Sequence, residues 1–286
     1  MDIHFKQATI IGVGLIGGSL GGILKSRHLA DTVVGVGRDK GNLDTAVRTG
    51  LIDRYTQDAK KGVTGSDLVV LCCPVGSFES VAREIKPYLQ DAAIVTDVGS
   101  VKGALVTRLE DIFYLKARYV PAHPIAGGEK SGSEAADLGL FKGARCIVTP
   151  TRATDLDALE DVVTLWEMAG AEVVRMDPDD HDRIFAMVSH LPHVAAYAMV
   201  AALSDMDGGE KAIAFAAGGF KDFTRIAGSH PEMWRDVCVL NGPNILAALD
   251  GYQESLWKLR EMIEKGDGEA LAAVFEKARA VRNKIK

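Results

Sequence analysis

The sequence predicts an α/β domain with a doubly wound, mainly parallel sheet, followed by an all-α domain. Three observations support this prediction. Strands alternate with helices through the first half, a glycine-rich turn joins the first strand to the first helix, and helical patterns dominate after residue 176. We therefore divide the 286 residues into a sheet domain, residues 1–176, and a helical domain, residues 177–286.

The sheet domain is defined by apolar, β-branched runs separated by amphipathic stretches. Strands are expected to end at residue 11 and to lie at 32–36, 67–74, 93–98, 119–124, 145–150 and 172–176. Helices are expected to end near residues 28 and 88 and to lie at 42–49, 102–114 and 155–169. Connections of this length imply right-handed crossovers, which place ligands outside the carboxyl ends of the strands.

The helical domain is expected to begin at Asp177-Pro178-Asp179-Asp180, which places acidic residues in a first helical turn. Helices are expected near 178–205, 209–217, 231–249 and 251–264, with a last one after residue 268. The alanine-rich run 194–203 is typical of a buried helix, and the glycine break at 218–227 of an interhelix loop. Close packing of alanine-rich helices also favours dimerisation.

Composition places the chain among ordinary globular proteins, with 47% hydrophobic and 25% charged residues. A net charge of −6 argues against a general nucleic-acid or membrane-surface binder, so an anionic substrate would need a local cluster of cations. We expect no signal peptide and no membrane span. Four cysteines without metal-ligand or disulfide spacing indicate reduced thiols, and hence a cytoplasmic protein.

The first strand ends in the pattern G-x-G-x-x-G, formed by Gly12, Gly14 and Gly17. Gly12 suits a tight turn, Gly14 lets the backbone approach a pyrophosphate, and Gly17 allows close packing of helix on strand. The backbone N–H groups of Leu15 and Ile16, at the positive end of the helix dipole, would bind a phosphate. The sequence therefore predicts a dinucleotide-binding Rossmann domain.

Other strand ends are expected to line the same cofactor site: Cys73 and Pro74 after one strand, and Val98 after the next. The sequence does not determine which residue contacts the ribose. An acid that binds the ribose 2′-OH is expected about 20 residues after Gly17, but that position is Gly37, followed by Arg38. Arg38 would pair with the 2′-phosphate of NADP, whereas a small shift would bring Asp39 to the ribose of NAD. The sequence is therefore compatible with either NAD or NADP as the cofactor.

Several segments carry side chains suited to chemistry. Ser100, in D-V-G-S-V-K, is placed as a helix N-cap, and His123, in H-P-I-A-G, lies at a strand end before a glycine-rich loop. In S-H-L-P-H, His190 and His193 have a metal-like spacing, with His181 as a third candidate ligand. No carboxylate lies at helical spacing to complete a catalytic zinc site, and Pro192 would interrupt the helix, so we expect no metal.

Together these segments resemble the prephenate dehydrogenase family, which includes arogenate and cyclohexadienyl dehydrogenases. The resemblance covers residues 10–259 and rests on five motifs in order: G-x-G-x-x-G-G-S, D-V-G-S-V-K, H-P-I-A-G, S-H-L-P-H and G-G-F-K-D-F-T-R-I-A. It implies oxidation of the dianionic cyclohexadienyl substrate prephenate, with loss of CO₂ and hydride transfer to NAD or NADP, on the route to tyrosine. It also implies a homodimer joined through the C-terminal helices.

The resemblance also implies roles for individual residues. His123 would take the proton from the 4-hydroxyl of the substrate, and Ser100 would orient the imidazole or the hydroxyl. Arg225 would bind the side-chain carboxylate, and His193, with Ser189 and His190 nearby, would line the same cleft. A weaker hypothesis is a charged gate formed by the side chains of Glu129, Lys130, Asp222 and Arg225.

One departure from the family pattern is Gly128, which follows H-P-I-A-G where many relatives carry a side chain, and it leaves the choice between prephenate and arogenate open. Another two-domain dehydrogenase, such as a β-hydroxyacid dehydrogenase or a pyrroline-carboxylate reductase, is an alternative. A non-catalytic redox sensor is another, but it would not need Ser100, His123 and Arg225 in one cleft. With no appended regulatory domain, tyrosine inhibition would be competitive.

Overall fold

The computed structural model describes residues 3–128 and 130–285. Six strands form one all-parallel sheet in the order β3-β2-β1-β4-β5-β6. Their bounds are β1 Phe5–Ile11, β2 Ala30–Val36, β3 Arg54–Thr56, β4 Leu68–Leu71, β5 Ala93–Asp97 and β6 Ala117–Val120. The strand order reverses between β1 and β4, and ligands of doubly wound sheets bind at this switch point. The predicted fold class is confirmed.

Helices cover both faces of this sheet, and each face has its own apolar core. They are α1 Leu15–Ser26, α2 Lys40–Arg48, α3 Ala59–Val63, α4 Phe78–Ile85, α5 Gly103–Phe113 and α6 Leu156–Met168. The short strand β3 and the short helix α3 were not predicted. The sequence of β3, Arg-Tyr-Thr, contains no apolar run, because an edge strand is only partly buried.

The predicted strand at 119–124 is two strands in two sheets. It breaks at Pro121, which has no N–H to donate to a neighbouring strand. After the break, β7 (Ala122–Pro124) joins β8 (Arg145–Val148) and β9 (Glu172–Arg175) in a small sheet of order β7-β8-β9. Strand β7 is antiparallel to β8, so this region departs from the expected continuous parallel sheet. The break positions His123 on a separate strand beside the main sheet.

The rest of the chain is helical. Its helices are α7 Pro178–Phe185, α8 Leu191–Asp205, α9 Gly209–Ala214, α10 Gly218–Thr224, α11 Pro231–Leu240, α12 Gly242–Lys265 and α13 Gly268–Arg282. The predicted helix start is confirmed, since the Asp177 side chain accepts hydrogen bonds from the N–H groups of Asp179 and Asp180. The prediction of a loop at 218–227 is wrong, because these residues form α10 and most of a 3₁₀ turn. The break expected near residue 250 lies at Asn241 instead.

A π-helical turn, Ala186–His190, connects α7 to α8. Pro192 lies in the first turn of α8, where its missing N–H is tolerated, and the wide turn before it accommodates the proline without a sharp break. The expected burial of 194–203 is wrong in the single chain, because Ala196 alone is buried in α8. By length and composition, 178–205 is the described helical segment apolar enough to cross a membrane, and 17% of its 18-residue apolar window is buried in the single chain.

Candidate active site

The turn between β1 and α1 has the geometry of a dinucleotide-binding turn. Gly12 has φ +102°, and a Cβ there would lie 2.5 Å from the Cys72 carbonyl carbon. A Cβ on Gly17 would lie 2.1 Å from the Gly12 oxygen, so both positions require glycine. A Cβ on Gly14, in contrast, would meet nothing within 4 Å. The open space at Gly14 is where a pyrophosphate would approach the backbone, so the cradle fits a dinucleotide.

Helix α1 begins at Leu15, and its N-cap Gly14 provides no side-chain hydrogen bond. The first N–H groups of the helix, including those of Leu15 and Ile16, are therefore available to a phosphate at the positive end of the helix dipole. The neighbouring strand ends complete this edge, because β1 pairs with β4 and β4 with β5 up to their last residues. Cys73, Pro74 and Val98 lie at that edge, as expected from the sequence.

At the end of β2, the Asp39 carboxylate caps helix α2 by accepting a hydrogen bond of 3.1 Å from the Asn42 N–H. Arg38 is exposed and close enough to Cys73 for its charge to lower the pKa of that thiol, although burial raises that pKa overall. Asp39 is thus engaged in helix capping, whereas the exposed Arg38 lies near Cys73, at the end of β4.

The turn after β5 is built around a buried ion pair. The Lys102 ammonium pairs with the Asp97 carboxylate, and both side chains are essentially inaccessible. Asp97 also accepts hydrogen bonds from the Tyr119 hydroxyl and the Gly99 N–H, each at 2.7 Å. Helix α5 begins at Gly103 with Lys102 at its N-cap, so the capping role considered for Ser100 is wrong. The half-buried Ser100 lies in the turn itself.

His123 is half-buried on β7 and contacts the helical domain through a chain of hydrogen bonds. Its Nδ1 lies 2.8 Å from Nε2 of His181, on α7. Nδ1 of His181 lies 2.8 Å from Oδ1 of Asp182. That same oxygen accepts a hydrogen bond of 2.8 Å from the Lys102 N–H, which ties α7 to the turn after β5. Phe185 packs against both imidazoles.

The surroundings keep both imidazoles neutral near pH 7. Burial lowers the pKa of His123 well below its usual value, and the nearby His181, Lys102 and His190 lower it further. Burial also lowers the pKa of His181, although the hydrogen bond to Asp182 opposes this effect. A neutral imidazole has a lone pair with which to accept a proton, as the proposed role of His123 requires.

Two further histidines lie on the π turn and α8. His190 is buried, with Nδ1 3.1 Å from Nδ2 of Asn241, and burial is the main cause that lowers its pKa to about 4. His193 is half-buried and stacks on Trp234, with ring centroids 3.7 Å apart. Nδ1 of His193 lies 2.9 Å from the Ser189 carbonyl oxygen, so Nδ1 carries a proton and Nε2 faces away from that bond.

Arg225 is exposed at the start of the 3₁₀ turn after α10, and its charge lowers the pKa of His193. His123, His190, His193 and Arg225, which the sequence predicts to share one cleft, are near neighbours in this order, because the charge of each next residue lowers the pKa of the histidine before it. Of the proposed charged gate, Lys130 and Asp222 are exposed. Glu129 lies outside the described residues.

Sequence reasoning missed Asp182, Trp234 and Asn241, and it considered His181 only as a metal ligand. The spacing of His181 and Phe185, four residues apart, does indicate one helix face toward the site. It does not reveal that the partner of His181 is an imidazole on β7. Within the described part of the chain, no three His, Cys, Asp or Glu side chains are grouped to hold a metal ion.

Comparisons with known proteins agree with this geometry. The family model "Prephenate dehydrogenase, nucleotide-binding domain" matches residues 20–175, and "Prephenate dehydrogenase, dimerization domain" matches residues 177–277. A cyclohexadienyl dehydrogenase of Zymomonas mobilis is 35% identical over 99% of this chain and 97% of its own length.

Two solved structures are also similar over nearly the whole chain. The prephenate dehydrogenase of A. aeolicus, in complex with hydroxyphenyl propionate and NAD⁺, has a TM-score of 0.93 and 37% identity, with full coverage of both chains. The arogenate dehydrogenase of Synechocystis has a TM-score of 0.80 and 30% identity, covering 98% of this chain and all of its own. The resemblance stated from the motifs is confirmed: the chain belongs to the prephenate dehydrogenase family.

Proposed function

We propose that this enzyme oxidises prephenate to 4-hydroxyphenylpyruvate and CO₂, transferring a hydride to a nicotinamide. The single observation that carries the proposal is the contact of 2.8 Å between Nδ1 of His123, on β7, and Nε2 of His181, in the helical domain. Burial lowers the pKa of His123, which favours the neutral imidazole that a base requires. The family membership and the cofactor cradle at Gly12, Gly14 and Gly17 support it.

The chemistry needs a base that takes a proton and later returns it. As the hydride leaves the ring carbon bearing the 4-hydroxyl, Nε2 of His123 accepts the hydroxyl proton, which prevents positive charge from building up on the oxygen. Loss of CO₂ leaves its bonding electrons in the ring, and the ring becomes aromatic. The proton then returns to the phenolic oxygen, so no proton is released overall. The nicotinamide supplies the hydride acceptor.

The two carboxylates of prephenate need cations and hydrogen-bond donors. Arg225 would bind the side-chain carboxylate, and His193 with Ser189 would line the adjacent wall of the cleft. His190 is buried and bonded to Asn241, so it would support this wall from behind. Ser100 would hydrogen-bond to the 4-hydroxyl or the imidazole from the turn after β5. Positioning of this kind lowers the entropic part of the barrier.

For the cofactor, we propose that NADP is accepted alongside NAD. Arg38 at the end of β2 offers a guanidinium to a 2′-phosphate, and Asp39 is engaged at the cap of α2. The Arg38→Ala variant would then raise the KM for NADP about tenfold or more and leave the KM for NAD within twofold. A KM for NADP that does not change in this variant contradicts the proposed contact.

For the assembly, we propose a cytoplasmic homodimer joined through the C-terminal helices. The apolar side chains that α8, α12 and α13 expose in the single chain would be buried against a second copy, and the dimerization-domain match at 177–277 supports this arrangement. Light scattering of the purified chain is expected to give twice the monomer mass of 30.6 kDa. A monomer at micromolar concentration, or a chain that partitions into lipid vesicles, argues against it.

The function is tested by a two-by-two rate assay, with prephenate or arogenate as substrate and NAD or NADP as cofactor. We expect the highest kcat/KM with prephenate. Preferential turnover of arogenate would support the second candidate, which the similarity to the arogenate dehydrogenase of Synechocystis favours. A Cβ on Gly128 would lie 3.3 Å from Leu15, so Gly128→Ala also tests whether that position affects substrate or cofactor KM. No turnover in any combination would contradict the proposed function.

A further inference from the structure

The three side chains Asp182, His181 and His123 form a line of hydrogen bonds that runs from the interior of the helical domain to the cleft. The distances between His123 and His181, and between His181 and Asp182, are both 2.8 Å. His181 is fully buried and Asp182 nearly so, whereas His123 is half-buried. One end of the line is thus inside the protein, and the other is the partly exposed His123 on β7.

The donors and acceptors in this line follow from the carboxylate. A carboxylate oxygen only accepts, so Nδ1 of His181 carries the proton that it donates to Asp182. Neutral His181 has one ring proton, and its Nε2 therefore accepts from Nδ1 of His123. The single proton of neutral His123 is then on Nδ1, which leaves a lone pair on Nε2.

We propose that His181 and Asp182 are positioning residues that fix the tautomer of His123 and hold the proton taken from the substrate. When Nε2 of His123 accepts the hydroxyl proton, the Nδ1 proton passes to Nε2 of His181. The positive charge then lies on His181, hydrogen-bonded to the Asp182 carboxylate. The reverse transfer returns the proton to the phenolic oxygen. This inference rests on the proposed function for its chemistry, but the tautomer stands apart from any substrate.

The charged groups around His123 and His181 determine where a positive charge is favoured. The Lys102 ammonium, from the turn after β5, and the imidazole of His190, from the π turn, disfavour a positive charge on His123. Asp182 and Asp97 favour a positive charge on His181, and Lys102 disfavours it. On β8, the buried Cys146 thiol is kept protonated because burial raises its pKa. The Asp182 carboxylate is thus the countercharge in direct contact with the pair.

Asp182→Asn is the most informative variant. The Asn carbonyl oxygen still accepts from the Lys102 N–H and from His181, so the geometry is kept and the charge is lost. We expect kcat to fall about 10- to 1,000-fold. We also expect the acid limb of the kcat/KM pH profile to move down by about one unit, because the countercharge no longer favours the protonated pair. A merely structural role would not move this limb.

The matched control is Asp180→Asn, on the same helix. The Asp180 side chain is half exposed and pairs with Arg183, so this variant removes one negative charge without touching the histidines. We expect its pH profile to match that of the unsubstituted enzyme. His181→Gln is a second variant that can still accept from His123 but takes up no proton. A kcat within twofold and an unchanged acid limb in both Asp182→Asn and His181→Gln would overturn the proposal.

A measurement without substrate separates this inference from the proposed function. Nitrogen-15 NMR of the histidine rings near pH 7.5 distinguishes protonated from unprotonated ring nitrogens, and His123→Asn identifies the His123 signal among those of seven histidines. We expect Nδ1–H and an unprotonated Nε2 on His123. An Nε2–H tautomer would overturn the inference even if prephenate is turned over. The expected tautomer in an enzyme inert toward prephenate would reject the proposed function alone.

Discussion

His193 stacks on Trp234, with ring centroids 3.7 Å apart and planes inclined by 20°. The stacking and the hydrogen bond to Ser189 fix the imidazole at two points, so its remaining nitrogen, Nε2, has a defined direction. Trp234 itself is buried on α11. The imidazole of His193, which we propose lines the substrate cleft, is therefore held in place by a buried side chain of α11.

This relationship predicts the effect of Trp234→Phe. A smaller ring loses part of the stacking contact, which is worth about 0.5–1.5 kcal/mol, so we expect the KM for prephenate to rise about two- to tenfold. The matched control is Trp166→Phe, since Trp166 is also buried with its indole nitrogen unpaired but packs in the other core, against Phe141. Equal KM effects in the two variants would argue against a role of Trp234 in positioning His193.

Arg225→Ala is expected to raise the KM for prephenate far more than it lowers kcat. Loss of a charge-assisted hydrogen bond to a carboxylate costs about 1.5–3 kcal/mol, which corresponds to about a 10- to 150-fold change in KM. Steady-state kinetics measure the two parameters separately. Arg183→Ala, which removes an exposed arginine from α7, provides the control. An unchanged KM in Arg225→Ala would remove Arg225 from the substrate site.

The buried histidines are expected to make the folded protein less stable as the pH decreases. The pKa of His190 is about 4 in the folded chain, against about 6.5 when unfolded, so the unfolded chain binds more protons between these values. The stabilisation is therefore complete above pH 6.5 and is lost as the pH falls toward 4. For His190 alone the loss between pH 8 and pH 5 is about 2 kcal/mol. His123 and His181 act in the same direction.

Denaturant unfolding at fixed protein concentration tests this expectation. His190→Asn replaces the imidazole by an amide whose oxygen can still accept from Asn241, and it should lose about 2 kcal/mol less than the unsubstituted chain between pH 8 and pH 5. His230→Gln, which removes an exposed imidazole, serves as the control. The same slope in His190→Asn as in the unsubstituted chain would exclude His190 as a source of acid sensitivity.

Much of the fold follows from local signals. The run of β-branched residues before Gly12, the glycine spacing and the Asp177 cap each act within a few residues, and each has the expected structure. The prediction was wrong where tertiary packing decides. Gly218 and Gly219 start a helix, and the apolar run 194–203 is mostly not buried in the single chain. Local periodicity encodes neither outcome.

The residues of the candidate site likewise include some that local sequence predicts and some that only tertiary packing brings together. His123 and Arg225 are found through motifs, because their residue types and neighbours are distinctive. The contact of His123 with His181 joins residues 58 positions apart, across the boundary between sheet and helices. The sequence around either residue does not indicate that the other is its partner. The same holds for Trp234, which reaches His193 only after α11 packs beside α8.

The most direct test of the account compares the unsubstituted enzyme with His123→Asn, measuring hydride transfer from prephenate together with dinucleotide binding. Asn at this position keeps a polar side chain but takes up no proton. We expect kcat to fall about 10²- to 10⁴-fold, with the Kd for the dinucleotide unchanged within twofold. Turnover within tenfold of the unsubstituted enzyme, with the cofactor still bound, would contradict the assignment of His123 as the base and with it the proposed mechanism.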